Sequence, residues 1–347
     1  MALVLLGSGF AVAAAAVWIA GVRLAKTTDV LSKRLGFGEA LGGAVLLAIA
    51  TNLPEIAIVV TAALAHNLDI ATGNILGGIA IQTVVLAVLD GFGVRDKPFS
   101  YCAASLQLVV EGALVVALLA IVVDGTRLAP TAIYYRLTVP AVLIFVVWAI
   151  GLYLIQRAQH GLPWHESGSP PDGQKVPRGH RRTTREKDGP STARAAIEFT
   201  LAAVVTLAGG VALERFSVSI STRVGISGVL FGATVLAAAT ALPEVSTGLQ
   251  SLKMGDYQLA FSDILGGNAF LPVLFLPATI ISGQAVLPQA HNTDVYLTAL
   301  GILLTVVYLW GLLFRPKRQW ARLGPDSIAV VALYVLGIVG LAIVSSG

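Results

Sequence analysis

About ten apolar runs, each long enough to cross a ~30 Å hydrocarbon core as a helix of roughly 20 residues, divide this chain from end to end. They lie near 2–22, 38–65, 70–89, 101–123, 131–156, 196–213, 226–252, 259–281, 293–314 and 327–344. Hydrophobic residues make up 56% of the 347 positions and charged ones only 12%, whereas a soluble domain carries roughly a quarter charged residues. Lipid is therefore the solvent for most of the chain, and the expected fold is an all-α polytopic membrane protein. Met1 leads straight into an apolar run with no basic n-region and no small-residue cleavage site, which reads as a retained first span rather than a signal peptide. The lone cysteine, Cys102, excludes an intramolecular disulfide, and no Cys/His spacing matches a structural zinc site.

The loops alternate in charge. Arg23, Lys26, Lys33 and Arg34, then Arg95 and Lys97, then a long basic stretch, then Lys253, then Arg315, Lys317, Arg318 and Arg322 occupy every second loop. The others hold Arg127, Arg215 and Arg223, with Arg136 just inside a span and expected to snorkel outward. By the positive-inside rule the first set is cytoplasmic, which puts both termini outside. Between residues 157 and 195 the hydropathy collapses into Pro, Gly, Ser and charge, including His180–Arg185. The chain thus reads as a first five-helix repeat (1–156), a cytoplasmic basic linker expected to be disordered (157–195) and a second five-helix repeat (196–347). The linker could reach anionic lipid headgroups, although a solvated topology determinant is the simpler and preferred reading. His160, His165 and His180 read as loop residues rather than a metal site.

Sliding the sequence against itself by 189 positions superimposes two segments without a gap. Residues 43–55 read G-A-V-L-L-A-I-A-T-N-L-P-E, and residues 232–244 read G-A-T-V-L-A-A-A-T-A-L-P-E. The register continues, with Asn74-Ile75-Leu76-Gly77-Gly78 on Asp263-Ile264-Leu265-Gly266-Gly267. An odd number of spans separates the copies, so they enter the membrane from opposite sides. Inverted repeats with interrupted helices build many secondary transporters, whose sites lie near the midplane.

Glu55 and Glu244 fall about halfway along their spans, and a carboxylate there costs several kcal/mol unless partnered. Each follows a proline. Pro54 and Pro243 cannot donate to the carbonyls of Ala50 and Ala239, so each helix turn is expected to kink or unwind and free an oxygen beside the acid. Thr51 and Thr240 lie one turn earlier on the same face, and Asn52 adds an amide oxygen in the first repeat only. Carboxylates and neutral oxygens together suit a hard cation such as Ca²⁺, bound at about 2.3–2.6 Å. The two acids repel one another in an empty site, so a proton is a natural competitor of the metal. The bare pairs Gly77-Gly78 and Gly266-Gly267 allow close helix approach to the Pro-Glu breaks, and simple packing accounts for them as well.

These residues resemble the calcium/cation antiporter superfamily, particularly its sodium/calcium exchanger branch, in which each inverted five-helix repeat carries G-T-S-x-P-E followed by G-N-x-x-G-S-N. Here the stretches are A-T-N-L-P-E with G-N-I-L-G-G-I, and A-T-A-L-P-E with S-D-I-L-G-G-N. The resemblance implies that Glu55 and Glu244 share a Ca²⁺ site and that Thr51 and Thr240 are ligands for Na⁺ and Ca²⁺. Asn52, Ala241, Gly78 and Gly267 stand where the family has serine, and Gln82 and Leu271 where it has an amide and often an acid. Fewer oxygens remain for several Na⁺ ions. Asp263 has no acidic counterpart, since Asn74 stands in the first repeat; it either reaches toward the cation across the gap left by Gly267 or caps a helix end near the cytoplasmic surface.

The expectation is a secondary antiporter exchanging Ca²⁺ for Na⁺ or H⁺ by alternating access, with Glu55, Glu244 and Asp263 as metal-binding acids. The alternatives are an antiporter for Na⁺/H⁺, Mg²⁺ or Mn²⁺, or a cation channel, whose acids would line an open pore in a ring of subunits. No Ser/His pair, aspartate pair or H-E-x-x-H helix within the spans supports an intramembrane enzyme, and a scaffold leaves the Pro-Glu pairs without cause. The expected partners are membrane lipids and transported cations, with no nucleic acid and no bound cofactor; a monomer suffices for transport, in a prokaryotic plasma membrane. Glu111, one turn after Gln107, could join a proton path or make an inter-helix hydrogen bond, while Glu39, Asp90, Glu198 and Glu214 are expected near headgroups.

Overall fold

The computed structural model describes residues 2–35, 48–94, 97–129, 133–159, 191–226 and 228–346. In chain order the helices are α1 (Ala2–Leu35), α2 (Leu53–Leu64), α3 (Leu68–Gly93), α4 (Phe99–Ala103), α5 (Leu106–Gly125), α6 (Val139–Gln159), α7 (Thr192–Val224), α8 (Gly228–Phe231), α9 (Ala237–Thr240), α10 (Leu242–Met254), α11 (Tyr257–Phe270), α12 (Phe275–Ser282), α13 (Asn292–Phe314) and α14 (Pro325–Ser346). A π-helical turn, Gly232–Leu236, joins α8 to α9, and a 3₁₀ turn, Leu271–Leu274, joins α11 to α12. Among the described residues nine helical stretches are long and apolar enough to cross a membrane, and α2 is a shorter apolar helix. The fold is an all-helical multi-pass membrane protein. The first part of the expected second span (38–47), Glu39, Arg95 and linker residues 160–190, with His160, His165 and His180, lie outside the described residues, whereas the linker's ends at 157–159 and 192–195 are not disordered but continue the flanking helices α6 and α7.

Helix ends follow local chemistry. Ser105, Ser191 and Asp256 accept from the backbone N–H three residues on, at 3.3, 3.3 and 3.0 Å, and so cap α5, α7 and α11. Gly225, Gly255 and Gly283 close α7, α10 and α12 at φ of 74°, 81° and 69°, a region costly for a residue with a Cβ. The expected fourth span, 101–123, is instead two helices, because the chain leaves helical geometry at Ala104 and restarts under the Ser105 cap. Residue Arg136 sits outside its helix, in a tight turn bridged between Tyr134 and Leu137. It does not simply snorkel: its Nη1 donates to the Ile280 carbonyl at 3.2 Å, beside Gly283 at the end of α12.

The long helices α1 and α7 pack along one another, and each also crosses the other repeat: α1 against α10, α7 against α2. At 1.5 Å per residue they are about 50 Å long, well beyond the hydrocarbon thickness. Gly21 on α1 lies against Pro243, and Gly210 on α7 against Pro54 and Ala57. The two glycines are themselves 189 positions apart. Each long helix therefore rests a bare glycine on the opposite repeat's proline. The buried core runs through α3, α5, α11 and α13, where Ile75, Leu76, Ile79, Leu118, Leu119, Phe261 and Leu304 are shielded from solvent and lipid.

Candidate functional site

The two Pro-Glu turns are helix steps one residue wide. Asn52 (ψ 12°) and Ala241 (ψ 0°) depart from helical values, and the proline follows two residues later in each. Less backbone is unwound than a proline can impose, because Ile56 N–H still reaches Asn52 O at 3.0 Å and Val245 N–H reaches Ala241 O at 3.2 Å. Ala50 and Ala239 are buried immediately before the threonines.

These steps bring the acids together. Glu55 and Glu244 are each 0% exposed, and the Glu244 carboxylate lies beside the Thr51 hydroxyl and near enough to Glu55 and Asp263 to feel their charge. Glu55 in turn lies beside Thr240 and Gln82. Each glutamate is thus served by the threonine of the opposite repeat. Neither Glu55 oxygen accepts a well-formed hydrogen bond, nor does Oε2 of Glu244. The Gln82 amide stands between the repeats, donating from Nε2 to Asn52 Oδ1 at 3.3 Å and, at 3.5 Å, to Glu244 Oε1. Asn52 is held by its own donation from Nδ2 to Ala48 O at 2.6 Å. Buried acceptors left without donors are costly, and three acidic oxygens converging in that condition form a site that attracts protons or cations.

Asp263 lies one turn beyond this centre. The cap of α11 is Asp256; Asp263 sits seven residues further in, only 4% exposed, with Oδ2 accepting from Thr247 Oγ1 at 2.6 Å and Oδ1 without a donor. Its first-repeat counterpart Asn74 is fully buried with neither amide atom paired. The glycines set the spacing. A Cβ on Gly267 would come 3.0 Å from Asn52 Nδ2 and 3.2 Å from Gln82 Oε1, while one on Gly78 would meet Leu271 Cδ1 at 3.1 Å. Gly77 presses on the Ala233 backbone, and Gly266 faces Ala48 at a looser 3.8 Å. Leu271, fully buried, therefore fills with hydrocarbon the place across from Gly78.

Sequence reasoning missed Thr247, which stands three residues after Glu244 on the same helix face, and the pair Asn268–Thr83, joined at 3.0 Å between Nδ2 and Oγ1. Their only sequence signal is a polar residue in an apolar span. Asp90 was expected near headgroups but is 0% exposed. It ties three elements together, with Oδ1 accepting from Phe99 N–H at 2.8 Å and Oδ2 from Gly324 N–H at 2.6 Å and Ser327 Oγ at 2.7 Å. Glu214 is likewise buried, at 3% exposure, beside Asn67 in the turn between α2 and α3, not exposed as expected. Glu198 remains near the surface in an ion pair with Arg194 at 3.0 Å. Glu111 accepts from Gln107 at 2.8 Å and leaves its second oxygen unpaired beside Ser262.

The profile of the sodium/calcium exchanger protein family matches residues 5–156 and 195–342, covering both repeats. The chain belongs to this family. Relatives include the Escherichia coli (strain K12) "Inner membrane protein YrbG", 24% identical over 305 residues, 85% of this chain and 86% of that protein. The "Putative antiporter CaxA" of Alkalimonas amylolytica is 26% identical over 272 residues, 77% of each chain. Among solved exchangers the fold resembles an H⁺/Ca²⁺ exchanger, CAX, with a TM-score of 0.68 at 14% identity, covering 97% of this chain and 81% of that one. It also resembles the sodium-calcium exchanger NCX_Mj, with a TM-score of 0.60 at 16% identity, covering 97% and 99%. A chain of this family is a cation exchanger and not an enzyme.

Proposed function

We propose that this exchanger moves Ca²⁺ against Na⁺ or H⁺ by alternating access, with Glu55 and Glu244 as the shared cation-binding acids. The observation that carries the reading is the meeting of the two glutamates from inverted repeats, both fully buried, with three of their four oxygens unpaired. Among the described residues no three acidic, histidine or cysteine side chains converge tightly enough to hold a metal alone. A divalent ion therefore completes its shell with neutral oxygens of Thr51, Thr240, Asn52 and Gln82 and the backbone at Ala50 and Ala239, as a flexible Ca²⁺ shell permits. Asp263, held by Thr247 at 2.6 Å, stands outside that shell, one turn toward the start of α11.

The oxygen inventory favours H⁺ as the coupling ion. Gly78 and Gly267 offer no hydroxyl and Leu271 no carboxylate, so separate Na⁺ sites lack ligands, whereas two facing carboxylates exchange a cation for protons without further donors. The bacterial relatives and the charge of the loops support a plasma-membrane location with both termini outside.

The test is ⁴⁵Ca²⁺ uptake into proteoliposomes driven separately by an outward Na⁺ gradient and by a pH gradient, with Glu55→Gln and Glu244→Gln beside the wild type. One gradient is expected to drive uptake that both variants abolish. Uptake by neither gradient removes Ca²⁺ as the cargo, and passive flux that no gradient drives uphill indicates a channel.

A further inference from the structure

Inversion gives the two halves of the access path matching geometry and, in this chain, unequal chemistry. α10 leads from Glu244 toward the face of the membrane that carries the 157–195 linker, since α7 leaves that face and α8–α10 return to it. α2 leads from Glu55 toward the opposite face. One turn along the first path stand Thr247 and Asp263; at the equivalent positions on the second, 189 residues earlier, stand Ile58 and Asn74. Asp263 precedes Gly267 by four residues, hence lies about 6 Å nearer the linker face than the glycine that touches Asn52 and Gln82. Both flanking pairs are shielded, but only one bears charge, and its Oδ1 is unpaired.

Building on the antiporter reading, we infer that Asp263 and Thr247 form a cation-loading position on the linker side of the central glutamates that has no equivalent on the other side. The ligand is a hard divalent cation, met by one carboxylate oxygen that lacks a donor and by the Thr247 hydroxyl that orients its partner oxygen. When the path opens to the linker face, an ion reaches this charge before the glutamates. From the other face it meets a neutral amide and a hydrocarbon side chain. The exchanger is thereby made sided: half-saturation by Ca²⁺ falls at a lower concentration on the linker face, while the direction of net flux is still set by the two gradients.

The experiment measures Ca²⁺ half-saturation separately on each face in vesicles sorted by protease access to the linker, for wild type, Asp263→Asn and Asn74→Asp. The wild type is expected to half-saturate at roughly tenfold lower Ca²⁺ on the linker face, the worth of about one charge-assisted contact. Asp263→Asn removes that advantage and leaves the opposite face within about twofold; Asn74→Asp lowers half-saturation on the opposite face. An equal rise on both faces with Asp263→Asn overturns the inference and assigns the acid to the central site, and no rise on either face overturns it also. If Asp263→Asn does not fold, Asn74→Asp decides: an unchanged opposite face refutes the sidedness. A wild type that exchanges no Ca²⁺ on either face fails the antiporter reading itself, a result distinct from all of these.

Discussion

Asp90→Ala is expected to loosen the junction of α3, α4 and α14 without touching the cation site. The carboxylate accepts from two backbone N–H groups, Phe99 at 2.8 Å and Gly324 at 2.6 Å, and from the Ser327 hydroxyl at 2.7 Å. The truncation orphans both N–H groups at roughly 1–3 kcal/mol each. The Ser327 hydroxyl still has Tyr308 within 3.2 Å and adds little. Removing a buried charge returns part of its desolvation cost, so the net loss is about 2–4 kcal/mol. Asp90→Asn keeps one acceptor oxygen but turns an amide N–H₂ toward a donor, and is expected to cost about half as much. Both variants are read as unfolding midpoints of purified protein in one detergent, with Ca²⁺ half-saturation as the control for an intact site. Stabilities within about 0.5 kcal/mol of wild type, the usual range for a surface substitution, would refute the junction and return Asp90 to the headgroup region.

Gly77→Val places its side chain inside the Ala233 backbone at the π turn, so folded yield after detergent extraction is expected to collapse; near-normal yield removes the close crossing of α3 with that turn. Gln82→Leu makes the first repeat match Leu271 and deletes the amide between Asn52 and Glu244. Ca²⁺ half-saturation is expected to rise roughly tenfold, the worth of one or two lost polar contacts, and an unchanged value takes Gln82 out of the cation's surroundings.

Much of the site was legible because its signals are local or repetitive. The apolar runs report the solvent, the 189-position register reports an inversion, and a Pro-Glu in mid-span reports both a break and a charge. The same register also contained Gly21 and Gly210, which sequence reasoning passed over because a lone glycine in an apolar span is common; only their contact with Pro243 and Pro54 gives them meaning. Asp90 and Glu214 were misplaced because a position near a span end says nothing about what packs over it. Gly324 and Ser327, more than 230 residues away in sequence, enclose Asp90.

Hydropathy, helical period and proline chemistry act within a few residues, so the class of fold, the repeat register and the residue types at the site are already written in the chain. Tertiary structure decided which oxygens face one another. It set Thr51 beside Glu244 and Thr240 beside Glu55, put Gln82 between the repeats, and turned Asp263 toward Thr247 on one side only. Those outcomes depend on how close two helices lie and which faces they turn inward, and bare glycines at the crossings, not the acids, fix both.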